Sequence, residues 1–558
     1  MQNGTVKLKD LFNGDRIFNI PKYQRTYAWR DENLEYFLDD LINQRGEKSY
    51  FLGTLLFHEK ESRGEYDIID VVDGQQRLTT IIIFMNVIIE ILSSYKSSKI
   101  TKKTFKRYIY DDESYTLELE NEDNSFLCNY IFNNDSTSAF ETPSQKRLYD
   151  AKIYFKKTLS KLDINKLEQM YEVLTNADII IYSVDKISDA TQIFELLNDR
   201  GRPLTRLEGI KSFLMYRIGC LHLKDNGEQS INFIQNSFAS IYRLIEQENI
   251  NEDELLRYHT ISFEKSKTED YNKPHKFIKN KINRLFEKNV DDNKIKDEIL
   301  QYIERLQKSF IIFSEINNNQ LKCKKNDDVF MIGRVNSFYP LMMKVYIDTP
   351  NYFCKFSKNL VHFTFKASLI SLRSNGETDF YRWIRENKFE YKDIKIPIQD
   401  NWWNMEQRVN DVLEYRNFYK YISKNIIKYI LFSYENYLRQ EKGYPLLSKE
   451  NYFSSDNREK FSIEHITAQR VKNITFDEEF EENYLHSLGN LVIDTTSSNS
   501  RKGNKNVKDK MSEFIKAPIM SQNEINEVRI NWNDVEEIKS FIDNRNKKLI
   551  QFIAENLL

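Results

Sequence analysis

The sequence predicts a multidomain α+β protein with a mixed α/β first part, a mostly helical middle and a helical C-terminal part. The chain has 558 residues, which is more than one hydrophobic core usually supports. In the first part, short apolar runs of strand length alternate with helical patterns. After that part, amphipathic helical patterns follow one another with few glycines. The predicted domains are therefore residues 1–225, 226–400 and 401–558.

Periodicity predicts the elements of the first part in order. Apolar, β-branched runs indicate strands at residues 50–58, 66–72 and 178–184. Patterns with a period of 3.6 residues indicate helices at residues 77–95, 144–174, 188–197 and 205–220. The polar stretch 100–142 is typical of a loop or insertion. Residues 78–92 are the most apolar segment, but Asn86 and Glu90 interrupt it, which favours a buried helix over a membrane span.

Composition indicates a globular protein without a general affinity for nucleic acid. Apolar residues make up 40% and charged residues 30% of the chain, and the formal net charge is -2. Any surface that binds phosphate must therefore come from local basic clusters. The N-terminus lacks the apolar core of a signal peptide, and we expect a cytoplasmic protein without a membrane segment. The scattered cysteines argue against a zinc knuckle or a disulfide framework: Cys128, Cys220, Cys323 and Cys354.

A group of polar residues near the C-terminus indicates phosphodiester chemistry. Glu464 and His465 occur in the run Ser-Ile-Glu-His-Ile, and Asn490 occurs in Leu-Gly-Asn-Leu. Hydrolysis needs a base that activates water, a cation near the phosphoryl oxygens and a group that orients the base. We predict His465 as the catalytic base, and Asn490 as the group that holds the hairpin or the imidazole. Glu464 and Asn499 are predicted to bind Mg²⁺ or Mn²⁺.

This pattern resembles the HNH, or ββα-metal, nucleases, and more closely the C-terminal domain of GmrSD-type modification-dependent restriction nucleases. The resemblance covers roughly residues 400–558 and implies a metal-dependent nuclease. Two features depart from the HNH pattern: Asn499 stands where a histidine is common, and the zinc-binding cysteine pairs of many members are absent. The alternative is an ordinary strand end and turn that carry no catalysis.

Basic residues follow this motif. We predict that Arg501, Lys502 and Lys505 contact DNA phosphates, with a merely solvated face as the alternative. His486 lies in the same segment, but a lone histidine is more often a packing or surface residue, so the predicted site omits it.

Two runs near the N-terminus indicate a binding site for an anion. Residues 20–29, Ile-Pro-Lys-Tyr-Gln-Arg-Thr-Tyr-Ala-Trp, combine a rigid proline with amide, guanidinium and aromatic groups. Residues 73–77, Asp-Gly-Gln-Gln-Arg, join a strand to the apolar helix, where backbone amides and a helix N-terminus attract phosphate. Arg77 can donate a forked pair of hydrogen bonds to phosphate, and Asp73 can hold a metal or activate water, so both are predicted to be catalytic. Neither common glycine-rich nucleotide cradle occurs in the sequence. The predicted nucleotide-binding residues are Tyr23, Gln24, Arg25, Asp73, Gly74, Gln75, Gln76, Arg77, Asn198 and Arg200.

These runs resemble the N-terminal domain shared by GmrSD-type proteins and related phage-defence nucleases, over about residues 8–225. The resemblance implies a ParB- and sulfiredoxin-like fold that hydrolyses a nucleoside triphosphate; GTP, ATP and CTP are not distinguished. It also implies that Asn198 and Arg200, in the run 194–201, approach the same pocket. The alternative is that residues 75–77 only cap a helix and bind neighbours within the fold.

Together these features predict a defence nuclease in which an N-terminal nucleotide-dependent sensor controls a C-terminal nuclease. The expected substrate is foreign or modified phage DNA, and a homo-oligomer or a partner defence protein is an expected associate. Control by the sensor would spare the cell's own genome. Two alternatives stay open: a ParB-like switch that clamps DNA without cutting it, and an RNA-cutting toxin triggered by infection.

Overall fold

The chain is described by a computed structural model, which divides into two compact units. The first unit comprises Met1–Thr260 with Ser266–Ser314, and the second comprises Ile261–Lys265 with Glu315–Leu558. The predicted division into three domains stays a prediction, because the expected boundaries near residues 225 and 400 adjoin stretches outside the described residues. The described residues are 3–44, 50–95, 100, 102–133, 135, 139–184, 205–223, 227–372, 377–386, 404–454, 456, 458–470 and 476–558.

The first unit contains a six-stranded mixed sheet. Its strands are β1 (Gly4–Lys7), β2 (Arg16–Ile20), β3 (Phe51–Glu59), β4 (Asp67–Asp73), β5 (Leu117–Leu119) and β6 (Asp178–Val184). Their order across the sheet is β1-β6-β3-β4-β2-β5. Strand β3 pairs antiparallel with β4 and parallel with β6. The three strands predicted from the sequence are confirmed as β3, β4 and β6.

The strands that the sequence analysis missed are short. Strand β1 is only partly buried, and β5 has three residues, so neither leaves a strong apolar pattern. Strand β5 lies within residues 100–142, where a loop was expected, and that prediction was wrong. The strand pairs with β2, and its Leu117 is fully buried.

Helices of the first unit pack beside this sheet. The long helix predicted at residues 144–174 is two helices, because Asp163 caps the second one by accepting a hydrogen bond from the Lys166 amide. The helix predicted at 188–197 lies outside the described residues. The described helices up to residue 219 are α1 (Leu8–Leu11), α2 (Asp31–Asn43), α3 (Gln75–Ser93), α4 (Lys102–Tyr108), α5 (Asn124–Phe126), α6 (Pro143–Leu159), α7 (Ile164–Thr175) and α8 (Arg206–Gly219).

Helix α3 is the centre of the first core. Among the described residues it is the one helix long and apolar enough to cross a membrane, yet most of it is buried inside the unit. Its Phe84 packs edge-on against Phe155, with ring centroids 5.3 Å apart. Each fully buried Leu, Ile or Phe side chain contributes about 1.5–3 kcal/mol. This packing confirms the expected buried helix.

The middle of the chain is helical, as predicted. Glycines and prolines are few there, and apolar side chains recur at helical spacing. The described helices of this region are α9 (Glu228–Gln247), α10 (Glu252–Phe263), α11 (Thr268–Asn272), α12 (Pro274–Glu287), α13 (Asp292–Asn317), α14 (Asn326–Ile332), α15 (Tyr339–Asp348), α16 (Phe353–Leu369) and α17 (Glu377–Glu386).

The rest of the second unit surrounds a two-stranded sheet with helices. Strands β7 (Phe461–His465) and β8 (Leu491–Thr495) pair antiparallel, with His465 opposite Leu491. The helices are α18 (Met405–Leu413), α19 (Phe418–Tyr421), α20 (Lys424–Glu441), α21 (Lys449–Phe453), α22 (Glu478–Asn483), α23 (Thr496–Lys502), α24 (Val507–Lys516), α25 (Met520–Glu527) and α26 (Val535–Asn556).

Helix α26 lies directly against the turn that enters β8. A Cβ atom at Gly489 would stand 2.1 Å from the carbonyl oxygen of Ile542 and 2.8 Å from the amide nitrogen of Asn546. Only glycine allows this approach of the two backbones. The buried guanidinium of Arg545 then donates to the carbonyls of Gly489 at 2.9 Å and Leu491 at 2.6 Å. The glycine of the Leu-Gly-Asn-Leu run is therefore needed for helix packing.

Candidate active site

Strands β7 and β8 pair with each other, and helix α23 follows β8, which gives a ββα arrangement. Helix α23 begins directly after β8, because the Thr495 hydroxyl accepts a hydrogen bond from the Ser498 amide and caps the helix. Helix α23 is also tied back to β7. The Asn499 side-chain amide donates to Ser462 Oγ at 3.0 Å and to the Ile463 carbonyl at 2.9 Å. The polar residues predicted near the C-terminus thus belong to one compact unit of structure.

Glu464 forms a buried ion pair with Lys510. Lys510 Nζ lies 2.6 Å from Glu464 Oε1 and 2.9 Å from the His465 carbonyl oxygen, and both charged side chains are almost fully enclosed. Burial raises the pKa of Glu464 and lowers the pKa of Lys510, and in each case the partner's charge opposes the shift. Lys510 therefore neutralises Glu464 and fixes the backbone at the end of β7.

His465 occupies the last position of β7 and is only 6% exposed. Its Nδ1 lies 3.2 Å from the Gln469 side-chain amide, and with the amide oxygen turned toward the ring Nδ1–H donates to that oxygen and Nε2 is the unprotonated nitrogen. Its Nε2 is enclosed and has no hydrogen-bond partner among the described residues. Burial, together with the positive charges of His486, Lys510 and Lys424, lowers the pKa of His465 to about 3. The imidazole is thus neutral at pH 7, and in the tautomer that carries its hydrogen on Nδ1 the Nε2 atom can accept a proton.

Asn490 holds the loop that follows β7. It is fully buried, and its Oδ1 accepts a hydrogen bond from the Thr467 amide at 2.8 Å. Its Nδ2 donates to the carbonyls of Thr467 at 3.1 Å and Leu485 at 2.8 Å. Of the two predicted roles, this geometry agrees with the one in which Asn490 holds the hairpin, because all three hydrogen bonds go to backbone groups.

The predicted metal ligands Glu464 and Asn499 do not fit a hard divalent cation in this arrangement. The cation beside Glu464 is the Lys510 ammonium, and the Asn499 amide braces β7. Among the described residues, no group of three or more His, Cys, Asp or Glu side chains could hold a metal ion. Mg²⁺ and Mn²⁺ prefer several oxygen ligands, whereas one oxygen of Glu464 is already paired with an ammonium.

The three basic residues predicted to contact DNA lie in two different environments. Lys502 is 0% exposed, and its Nζ lies 2.7 Å from Asp494 Oδ2 and 2.9 Å from Gln522 Oε1. In this conformation Lys502 is an internal ion-pair partner and does not reach a phosphate at the surface. Arg501 and Lys505 are exposed and line a cleft of about 710 Å³ together with Lys516. Lys505 Nζ also lies 2.8 Å from Glu513 Oε1 in the same cleft, and contact of Arg501 and Lys505 with phosphate stays a prediction.

Two groups omitted from the predicted site lie against His465. The Tyr419 ring meets the His465 ring edge to face at 4.6 Å, and the His486 ring lies 5.6 Å from His465. Lys424 Nζ stands 3.1 Å from the centre of the Tyr419 ring. Sequence spacing gave no sign of Tyr419, which lies 46 positions before His465. The proximity of His486 to Leu488 and Asn490 was the available signal for the second histidine.

The residues 73–77 form the junction between β4 and α3. Gly74 caps α3 in the left-handed conformation, with φ 87°, and a Cβ there would stand 2.3 Å from Leu55 Cδ2. Arg77 extends across Gly53, and its Nη1 donates to the Thr54 carbonyl at 3.3 Å. Burial raises the pKa of the Asp73 carboxyl. The hydrogen bond from the Gly74 amide and the charge of Arg77 act in the opposite direction and lower it. Asp73 and Arg77 thus lie at one strand-to-helix junction, and an anion site there stays a prediction.

The two glutamines of this junction have different surroundings. Gln76 donates to the Thr26 carbonyl at 3.0 Å and accepts from the Ala28 amide at 2.7 Å, so it clamps the loop before α2. Gln75 is buried, and its Oε1 has no hydrogen-bond partner among the described residues. Gln75 therefore retains an acceptor, whereas Gln76 is used by the fold.

The predicted residues 23–25 lie on the loop that Lys211 supports. The buried Lys211 ammonium donates to the Tyr23 carbonyl at 3.0 Å, and burial lowers its pKa to about 8. Gln24 donates to the Val72 carbonyl at 2.8 Å, which ties the loop to β4. Arg25 Nε lies 3.9 Å from Oε1 of Glu208, a residue at the start of α8. Asn198 and Arg200 lie outside the described residues, so their predicted approach to this pocket stays a prediction.

Comparison with known families finds matches in both units. Residues 8–215 match the GmrSD restriction endonuclease N-terminal domain, and residues 403–552 match the GmrSD restriction endonuclease C-terminal domain. The two matches include the β4–α3 junction and the whole ββα arrangement. No curated protein matches the chain.

Proposed function

We propose, for a chain that belongs to the GmrSD restriction endonuclease family, that the C-terminal ββα arrangement cuts DNA with His465 as general base. Membership of the family makes the protein a restriction nuclease with DNA as its substrate. The finer parts of the proposal are the HNH-type site and its control by a nucleoside triphosphate bound in the first unit.

The unpartnered Nε2 of His465 carries the assignment of the base. An enclosed polar nitrogen without a hydrogen bond costs about 1–3 kcal/mol, and that of His465 lies at the end of β7 beside a second histidine. Glu464 is already engaged with Lys510, Lys502 with Asp494, and Asn499 with the backbone of β7. His465 is the group that retains capacity for a proton.

The surroundings of His465 suit a base that works on an anion. Without substrate, burial and then the neighbouring positive charges hold the pKa of His465 low, so the ring is neutral. A phosphodiester that approaches these charges brings a negative charge, which favours the imidazolium and raises the pKa of the ring toward neutral pH. His465 can then take a proton from the attacking water as the charge on phosphorus develops.

Dependence on Mg²⁺ or Mn²⁺ stays a prediction from the family resemblance. The engaged side chains of Glu464 and Asn499 provide no vacant set of oxygen ligands, and we therefore assign no step of hydrolysis to a cation. Cleavage in Mg²⁺, in Mn²⁺ and in excess EDTA tests this dependence directly.

The decisive test is cleavage of phage DNA, modified and unmodified, by the full-length protein and its His465→Gln variant. Loss of a general base lowers the rate by about 10²–10⁴-fold. His362→Gln is a matched control, because His362 is a half-buried histidine of the same unit whose ring contacts only the Leu557 carbonyl among the described partners. Equal loss in both variants, or no loss in His465→Gln, would refute His465 as the base.

RNA of the same sequence serves as a second substrate in this assay. Cleavage of RNA but not DNA by the wild-type protein would favour the toxin alternative. DNA binding without cleavage of either substrate would favour a nucleotide-switched clamp.

We further propose that the β4–α3 junction binds a nucleoside triphosphate that controls cutting. The supporting observations are the closeness of Asp73 and Arg77, the helix N-terminus after Gly74, and the free acceptor of Gln75. Arg77 would pair with phosphate, and Gln75 would accept a hydrogen bond from the sugar or base. The sensing of a DNA modification by this unit is part of the same proposal.

Arg77→Ala tests this control. We expect nucleotide binding to weaken and the dependence of cleavage on GTP, ATP or CTP to disappear, as measured by calorimetry and by the cleavage assay with each nucleotide. Arg63→Ala is the control, since Arg63 is an exposed arginine of the same unit that pairs with Glu118. Unchanged nucleotide binding in Arg77→Ala would contradict the proposal.

A further inference from the structure

We infer that His486 is a second acid–base residue of the nuclease site, which protonates the departing sugar oxygen while His465 takes a proton from water. This inference rests on the proposed nuclease function. It assigns a catalytic role to a residue that sequence spacing had favoured as a packing residue.

The two imidazoles share one feature and lie side by side. His465 Nε2 and His486 Nδ1 are both enclosed, and neither has a hydrogen-bond partner among the described residues. The ring centroids are 5.6 Å apart, and the rings meet nearly at right angles. Two enclosed nitrogens without partners at one place are costly for a fold that only needs packing. A ligand that bonds to both rings would remove this cost.

A phosphodiester has the size and the chemistry to bond to both rings. Hydrogen bonds of about 2.8 Å from each ring to two different oxygens on one phosphorus span a gap of this size. A neutral imidazole accepts a proton and an imidazolium donates one, so the pair can handle the two proton transfers of hydrolysis.

The charges around His486 favour an anionic ligand. Lys420 and Lys424 lie on the adjoining helices α19 and α20, both are exposed, and both oppose the protonation of His486. Glu481 of α22 favours protonation of His486, and Lys510 acts on His465 from α24. A bound phosphodiester would offset the lysine charges and stabilise the protonated form of His486.

The second ring is held in place independently of its nitrogens. The Tyr419 amide donates to the His486 carbonyl at 2.8 Å, and the two rings stack with centroids 5.8 Å apart and planes 12° apart. Tyr419 also contacts His465, so one aromatic ring orients both histidines. Backbone and stacking contacts leave the imidazole nitrogens available for proton transfer.

The proposed step balances as follows. The water oxygen forms a bond to phosphorus and gives one proton to His465 Nε2. The bond from phosphorus to the sugar oxygen breaks, and that oxygen takes a proton from His486. One phosphodiester and one water become a phosphomonoester and a hydroxyl group, and a proton passes from His465 to His486 through solvent to restore the site.

The test compares ordinary DNA with DNA in which sulfur replaces the bridging oxygen on the leaving side, prepared in both polarities. A departing thiolate is a much weaker base than an alkoxide and needs little protonation. We expect His486→Gln to cut ordinary DNA about 10²–10⁴-fold more slowly, and to recover at least tenfold of that loss on the sulfur-bridged DNA. His465→Gln should stay equally impaired on both substrates, and His362→Gln should resemble the wild type.

Added imidazole provides a second measurement. In His486→Ala, free imidazole should restore part of the cleavage rate if the missing group only transfers a proton, whereas a loss of packing would not respond. Hydrogen exchange of the β7 and β8 amides checks that each variant is folded.

The outcomes separate this inference from the proposed function. If the wild type fails to cut DNA, the proposed function fails, and the inference fails with it. If the wild type cuts and His465→Gln does not, while His486→Gln cuts normally or loses the same factor on both substrates, only the role of His486 is overturned.

Discussion

Two strand-to-helix junctions carry the motifs of this chain, and they are stabilised by different interactions. At the C-terminal junction, where β8 enters α23, enclosed charges pair with opposite charges, as Lys502 does with Asp494. At the N-terminal junction, where β4 enters α3, Gln76 bonds to neutral backbone groups of Thr26 and Ala28. Removing one buried charge leaves its partner unpaired, whereas removing one neutral hydrogen bond costs much less. The two junctions should therefore differ sharply in their tolerance of substitution.

The largest expected effect is at Lys502. Lys502→Met leaves the buried Asp494 carboxylate without its cation, and such a change costs about 3–5 kcal/mol. We expect faster hydrogen exchange of the β7 and β8 amides and a lower midpoint of thermal unfolding of the second unit. The β4 and β6 amides of the first unit should be unchanged.

Arg501→Met is the matched control for Lys502→Met. Arg501 is the exposed neighbour of Lys502, so its loss should leave stability unchanged and weaken DNA binding in a salt-dependent way. The double variant Asp494→Asn with Lys502→Met should recover much of the lost stability, because no unpaired charge remains. If Lys502→Met weakens only DNA binding, the enclosed ion pair is wrong and Lys502 is a surface contact.

The next largest effect is expected at Gly489, where the backbone of α26 packs directly against the turn before β8. Gly489→Ala places a methyl group against the backbone of Ile542 and Asn546, and overpacking of this kind costs about 1–3 kcal/mol. The measurement is the thermal midpoint of the second unit. Gly209→Ala is the control in the first unit. Gly209 lies inside α8, and a Cβ added there would have no atom within 4 Å, so we expect no loss of stability.

A third prediction concerns acid stability at the C-terminal junction. The pKa of His465 is about 3 in the folded protein and about 6.5 when unfolded, so protonation favours the unfolded state. The contribution of the neutral ring is present above pH 6.5 and is lost as the pH falls toward 3. Protonation of this single group should lower the free energy of unfolding by about 2 kcal/mol between pH 7 and pH 5.

The comparison of wild type with His465→Gln isolates this group. The variant should lose less stability than the wild type between pH 7 and pH 5 in denaturant titrations of the full chain. Parallel losses in both proteins would show that the His465 pKa is not depressed by its surroundings.

The sequence predicted the type and order of the large elements better than it predicted the contacts of the motif residues. Strands β4 and β6 and helix α3 have strong apolar patterns, and each was located to within a few residues. The pairing of Glu464 with Lys510 joins positions 46 apart, which no local pattern encodes. Glu464 was predicted to bind a metal because it is a carboxylate. Its charge is neutralised by Lys510 instead, since a buried carboxylate requires a counter-charge.

The candidate site was predictable only in part, because local sequence patterns do not encode contacts between distant positions. The position of His465 at a strand end followed from the short run around it, and the structure places it there. The proximity of Tyr419 depends on how α19 packs, and the burial of Lys502 depends on α25, which supplies Gln522. Sequence spacing therefore locates a motif, whereas packing decides which of its side chains remain available.

The smallest expected effect is at the N-terminal junction. Gln76→Met keeps the length of the side chain and removes its hydrogen bonds to the Thr26 carbonyl and the Ala28 amide. Each neutral bond contributes about 0.5–1.5 kcal/mol, so the loss should be smaller than that in Lys502→Met. The amide of Ala28 should exchange faster, while the β7 and β8 amides stay protected. A loss as large as that of Lys502→Met would mean that the neutral hydrogen bonds of Gln76 and the buried ion pair of Lys502 contribute equally to stability, which would break the contrast between the two positions.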